Sequence, residues 1–167
     1  MNTVNGLPAH VLLVHAVVVL LPLSALLLVL TALSPAIRRR LAGPNAILSV
    51  LVVLLVPLTT SAGEWLESRV PQTATLHTHT ELGDGAIFYA LPIAALALVV
   101  WWRQREAHAG SGRRTFLAPL SSAVTTVVAV LALLVGAAGV YGIYRIGDSG
   151  AKAAWSSGVS QSRSGRD

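Results

Sequence analysis

Apolar residues fall in four long runs, at about 9–33, 46–63, 84–102 and 117–144, separated by short polar or charged segments. A helix crosses about 30 Å of hydrocarbon in roughly 20 residues, so each run is long enough, or nearly so, to span a membrane. The pattern predicts an all-α, integral membrane four-helix bundle with up-down topology. His15, Pro22, Ser24 and Thr31 interrupt the first run, the second turns polar at Glu64 and Glu67, and the third reaches full length only with Leu82 to Asp84 as its first turn. Pro22 and Pro57 lie inside runs and predict modest bends, which membrane helices tolerate. Pro35 and Pro44 bracket a charged turn, 36–43, and read as punctuation between helices. Residues 1–155 form one membrane domain on this reading. Trp155 marks a short surface helix, and 156–167 is a flexible Ser/Gly-rich tail.

Composition removes the water-soluble alternative. Of 167 residues 54% are hydrophobic and 11% charged, against about 25% charged in soluble domains. A body this small has too much surface to bury so much apolar side chain, and lipid must cover it. The net charge of +5 does not point to nucleic acid, because the basic residues cluster at the ends of apolar runs and form no stripe with aromatics. Absence of Cys excludes disulfides, thiolate ligation and cysteine nucleophiles. The first run is longer than a signal-peptide core and has no basic segment before it, so it is expected to be retained.

Arginines orient the bundle. Arg38, Arg39 and Arg40 occupy the first loop and Arg103, Arg105, Arg113 and Arg114 the third, whereas the second carries only Arg69. The positive-inside rule then places loops one and three in the cytoplasm and both termini outside. Trp65, Trp101, Trp102, Tyr141 and Tyr144 fall at span ends, as interfacial anchors do.

Alternating helix direction brings the start of span one, the end of span two, the start of span three and the end of span four to one level. There it gathers His10, His15, Glu64, Glu67, His77, His79, Glu81, Asp84, Tyr141, Arg145 and Asp148. His108, on the opposite side, reads as a solvated loop residue. His15 lies deepest and is expected to face inward, since an imidazole in lipid loses its water partners. Its readings are an interhelical hydrogen bond, a haem or metal ligand, or proton handling. His10 and His15, five apart, diverge by about 140° on a regular helix at 3.6 residues per turn. His77 and His79 lie in a Thr-rich approach that can be extended. His79 is the better inward candidate, with Asp84 able to cap the following helix. A haem needs axial ligands on facing helices, and His15 opposite His79 is the expected pair, with His10 and Tyr141 secondary. The alternative is a transition-metal site of His10, Glu64, His79 and Asp84. No HExxH, P-loop or dinucleotide motif occurs. In span four, Ala132/Gly136 and Ala138/Gly142 have small-xxx-small spacing, with Gly139 between. They suit close approach to a helix, a flat cofactor or a dimer partner.

The stretch Gly6 to His15, the His79/Gly83 approach to span three, Tyr141-Gly142 to Gly147 and Gly150-Ala151-Lys152 together resemble a bacterial membrane family catalogued as domain of unknown function 2231. The resemblance covers about Gly6 to Trp155. It implies a compact four-span protein of the bacterial inner membrane, with His10, His15 and His79 on the family's polar motifs. Relatives commonly carry Pro after the first His and an aromatic-Pro pair after the second, where this chain has Val11 and Ala16-Val17. The family is also distantly similar to small b-type membrane cytochromes. The leading expectation is therefore a haem b-binding, electron-transfer protein, with a membrane redox partner or a homodimer. Its alternatives are a structural subunit of a membrane assembly and an outward-facing metal or proton-handling module.

Overall fold

The computed structural model describes residues 3–4, 6–108 and 122–164. A two-residue antiparallel pairing, β1 (Thr3–Val4) with β2 (Leu7–Pro8), turns at Gly6, whose φ of 81° is left-handed. After it the regular structure among the described residues is helical: α1 (Ala9–Leu33), α2 (Pro35–Glu67), α3 (Ala74–Asp84), α4 (Ala86–His108) and α5 (Ser122–Ser164). Four of these carry stretches long and apolar enough to cross a membrane.

Ser34 alone separates α1 from α2. The following proline biases it to extended backbone, observed as φ −111° and ψ 114°, and it serves both helix ends. Its N–H donates to the Leu30 carbonyl at 2.9 Å, and its Oγ accepts from Ile37 N–H at 3.4 Å. Pro35 occupies the first helical position, where no N–H is needed. The arginine segment 36–43, expected as a turn, is thus the first part of α2, and Pro44 lies inside that helix. Arg38 secures the junction, donating from Nε to the Thr31 carbonyl at 2.8 Å and from Nη2 to that of Ala32 at 2.9 Å. These are among the carbonyls that the end of α1 leaves without helical partners.

Three other boundaries differ from the hydropathy reading. The Thr-rich approach to span three is the separate helix α3, capped by Thr73, whose Oγ1 accepts from Leu76 N–H at 3.2 Å. His108 closes α4 and does not lie in a loop. The 156–164 segment continues α5 and is not a separate tail; no proline interrupts it. The expected start of span four at 117–121, and Arg113 and Arg114, lie outside the described residues.

All four long helices present an inner stripe at three- and four-residue steps: Val17, Leu21, Ala25, Leu28 and Ala32 on α1; Asn45, Ser49, Val52, Val56 and Thr59 on α2; Ala86, Ala90, Ile93, Ala97 and Val100 on α4; Ala132, Gly136, Gly139, Ile143 and Ile146 on α5. This is the 3.5-residue seam of up-down bundles. Its many small residues let backbones come close, which matters because lipid supplies no hydrophobic drive between helices. The main packed pairs are α1 with α2, α2 with α4, α4 with α5 and α5 with α1, while α3 lies across one end against α5.

The α5 glycines sit inside this packing. A Cβ on Gly136 would come 3.3 Å from Val29 and 3.6 Å from the Ala25 carbonyl, and one on Gly139 would come 2.7 Å from Ile93. One on Gly142 would collide with the Tyr89 ring.

Candidate functional site

At the end where α1 and α4 begin and α2 and α5 approach their ends, His10 and His79 meet. Their ring centroids are 6.4 Å apart and the planes are 76° from parallel. Both rings are half-buried. His10 Nδ1 lies 3.0 Å from the Thr59 carbonyl, which can only accept, so this nitrogen carries the proton. His79 Nδ1 lies 3.0 Å from Ser149 Oγ, whose own hydrogen is given to the Ile146 carbonyl at 2.8 Å. The hydroxyl therefore accepts from His79, and Nδ1 is protonated here too. In its neutral form each imidazole then presents an Nε2 lone pair.

Glycines make room for both rings. A Cβ on Gly63 would lie 3.0 Å from His10 Nδ1, and one on Gly150 would lie 2.9 Å from His79 Cε1. Thr59, Gly63 and Ser149 escaped the sequence reading, and Gly150 entered it only as part of the motif Gly150-Ala151-Lys152. The available signal was the inner stripe itself: Thr59 continues that of α2, and Ser149 that of α5.

His15 is exposed on the outer side of α1, and its Nδ1 bonds the Val11 carbonyl of its own helix. The expected inward orientation and the His15–His79 pairing are both corrected. With His10 turned to the bundle, a residue five positions on must point away, and the local carbonyl satisfies the ring nitrogen that lipid cannot. Tyr141, expected near the site, is 62% exposed; Tyr89 of α4, packed over Gly142, is the tyrosine inside the bundle.

The other polar residues at this end do not converge on the pair. Helical geometry in α3 turns His77 outward to Glu81, at 3.4 Å. Asp148 pairs with Lys152 at 2.6 Å along α5. Glu64, Asp84 and Arg145 are exposed. Among the described residues no group of three His, Asp or Glu side chains is placed to hold a metal ion, so the set His10, Glu64, His79 and Asp84 contributes only its two histidines.

A family model described as a predicted membrane protein family, DUF2231, matches residues 6–163. The chain belongs to the DUF2231 family. In this DUF2231 protein the match takes in the whole His10–His79 site, both glycines and all four candidate spans. Neither a curated protein nor a solved structure matches it.

Proposed function

We propose that this integral membrane protein binds haem b between His10 and His79 and acts in electron transfer, with the site at the outer face of a bacterial cytoplasmic membrane. The carrying observation is the pair of fixed tautomers. A second-shell partner that holds Nδ1–H leaves Nε2 as the ligand and raises its basicity, as in established metal-bound histidines. An edge-to-face ring contact, with centroids within about 4.5–7 Å, would account for the separation but requires neither tautomer.

Bound haem would supply one-electron chemistry at a potential set by the residues holding it and by the polarity around it. His10 and His79 would hold the iron. The Thr59 carbonyl and Ser149 keep the two rings in the ligating tautomer, and Gly63 and Gly150 let them lie against the helix backbones. Ile143 and Ile146 are buried on the inner face of α5. A redox role also requires a membrane partner, or a second copy, that exchanges the electron.

The test is a visible spectrum of protein purified gently from haem-replete cells, reduced and oxidised. A reducible spectrum at one haem per chain is expected, lost in His10→Ala and in His79→Ala but kept in His15→Ala. Well-folded protein that carries no chromophore and takes up no added haem would make the pair an interhelical ring contact and the chain a structural subunit.

A further inference from the structure

The opposite end of the bundle has an unbalanced set of charges. Arg103 of α4 is only 6% exposed, and its Nη2 donates to Thr125 Oγ1 of α5 at 3.3 Å, a neutral partner. Beside it Arg38, half-buried, is bonded to two backbone carbonyls, also neutral. The two guanidiniums line one small cavity of about 10 Å³, walled by Ala32, Val100 and Val128. Among the described residues no carboxylate pairs with either. Burying a charge without an opposite one is expensive, and two like charges in one place compound the cost.

Arg38 also lines the floor of an open cleft of about 490 Å³ between the start of α2 and the end of α4. Arg39, Arg40 and Arg105 stand around it, and Trp101 lies over Gly43, where a Cβ would come 3.3 Å from the indole nitrogen. Among the described residues no acidic one lines it. Glu106 is the one carboxylate of this end, and its Oε1 accepts from Trp102 Nε1 at 2.8 Å. Residues 109–121 hold no Asp or Glu.

We propose that this cleft binds a phosphate group, carried by the headgroup of an anionic phospholipid. Guanidiniums match phosphate oxygens with paired N–H donors, and a phosphate over Arg38 supplies the negative charge that Arg38 and Arg103 lack. The lipid source follows from position. The cleft lies where the spans end, beside Trp101 and Trp102, and basic pockets between membrane helices are a recurrent form of headgroup site. This inference does not depend on haem.

The experiment uses the full chain in neutral detergent, titrated with phosphatidylglycerol or phosphatidylcholine, with retained lipid counted by native mass spectrometry. A parallel arm adds inorganic phosphate. Both lipids carry a phosphate, but phosphatidylcholine adds a choline cation that the surrounding arginines repel, so phosphatidylglycerol should bind at least about tenfold more tightly, a difference of about 1.4 kcal/mol. Arg40→Gln/Arg105→Gln, which leaves the Arg38 bonds to α1 intact, should remove most of that preference, and Arg103→Gln should weaken it. Equal binding of the two lipids, or full preference in a monodisperse double variant, overturns the site. If inorganic phosphate protects the protein as well as phosphatidylglycerol does, and displaces it, the phosphate site stands and its lipid source is overturned.

Discussion

His10 and His15 show how a helix sorts two chemically identical residues. Depth in the apolar run favoured His15, but angle decides which side chain enters the bundle. His10, Val17, Ser24 and Thr31 recur every seven residues, and the last three are buried, so His10 sits on the seam and His15 does not. Three of its four members, His10, Ser24 and Thr31, are polar residues in an otherwise apolar helix, a spacing present in the sequence. An α1 apolar on every side hid it from a search for a hydrophobic face. The His79 partner was legible as the better of two alternating histidines, but not its contact with Ser149, which depends on α3 lying across α5. Glycines next to the rings give a direct check. Gly63→Ala and Gly150→Ala should each lower stability by about 1–3 kcal/mol, as overpacking does. Gly147→Ala, with open space around its Cβ position, should gain up to about 1 kcal/mol from helix propensity. Thermal melts in detergent read all three, and equal shifts would remove the proposed crowding around the histidines.

Helix lengths were less legible than helix existence. Hydropathy locates the part of a helix inside lipid and is silent on its continuation into water. The 33 residues of α2 extend about 50 Å at 1.5 Å each, well beyond about 30 Å of hydrocarbon. The arginines at its start are held in helix by Ser34 and Pro35, two residues whose capping roles are local and readable. Removing the cap by Ser34→Ala should cost about 1 kcal/mol, seen as a lower melting temperature. In α5 the small-residue spacing did foretell close approach, and the structure identifies what approaches: α1 at Gly136, and Ile93 and Tyr89 of α4 at Gly139 and Gly142. Gly136→Leu should therefore lower detergent-resistant folding by about 1–3 kcal/mol. Val130→Leu, at an exposed position of the same helix, should be nearly silent. Equal behaviour would place the glycine face toward lipid.

Across the whole molecule, charge is divided by end. Glu64, Glu67, Glu81, Asp84 and Asp148 accompany the histidines in a mixed set with Arg69, Arg145 and Lys152, while Arg38, Arg39, Arg40, Arg103 and Arg105 stand at the other end against Glu106. Four spans return the chain to the side where it began, so the two ends of the described chain share a compartment. Arginine in short loops resists translocation, and the arginine end is accordingly expected in the cytoplasm. A fluorescent-protein reporter inserted at 109–121 should light up, and an alkaline phosphatase reporter at 68–73 should be active, with the converse fusions silent. The reverse pattern would turn the bundle over, placing the histidine pair in the cytoplasm and the arginine cleft against the outer leaflet. Its effect on the two sites would differ: ring geometry at His10 and His79 does not depend on compartment, whereas the cleft would then meet the headgroups of the other leaflet. On the two proposed readings, topology would decide which lipid pool reaches Arg38 and from which side an electron donor would approach.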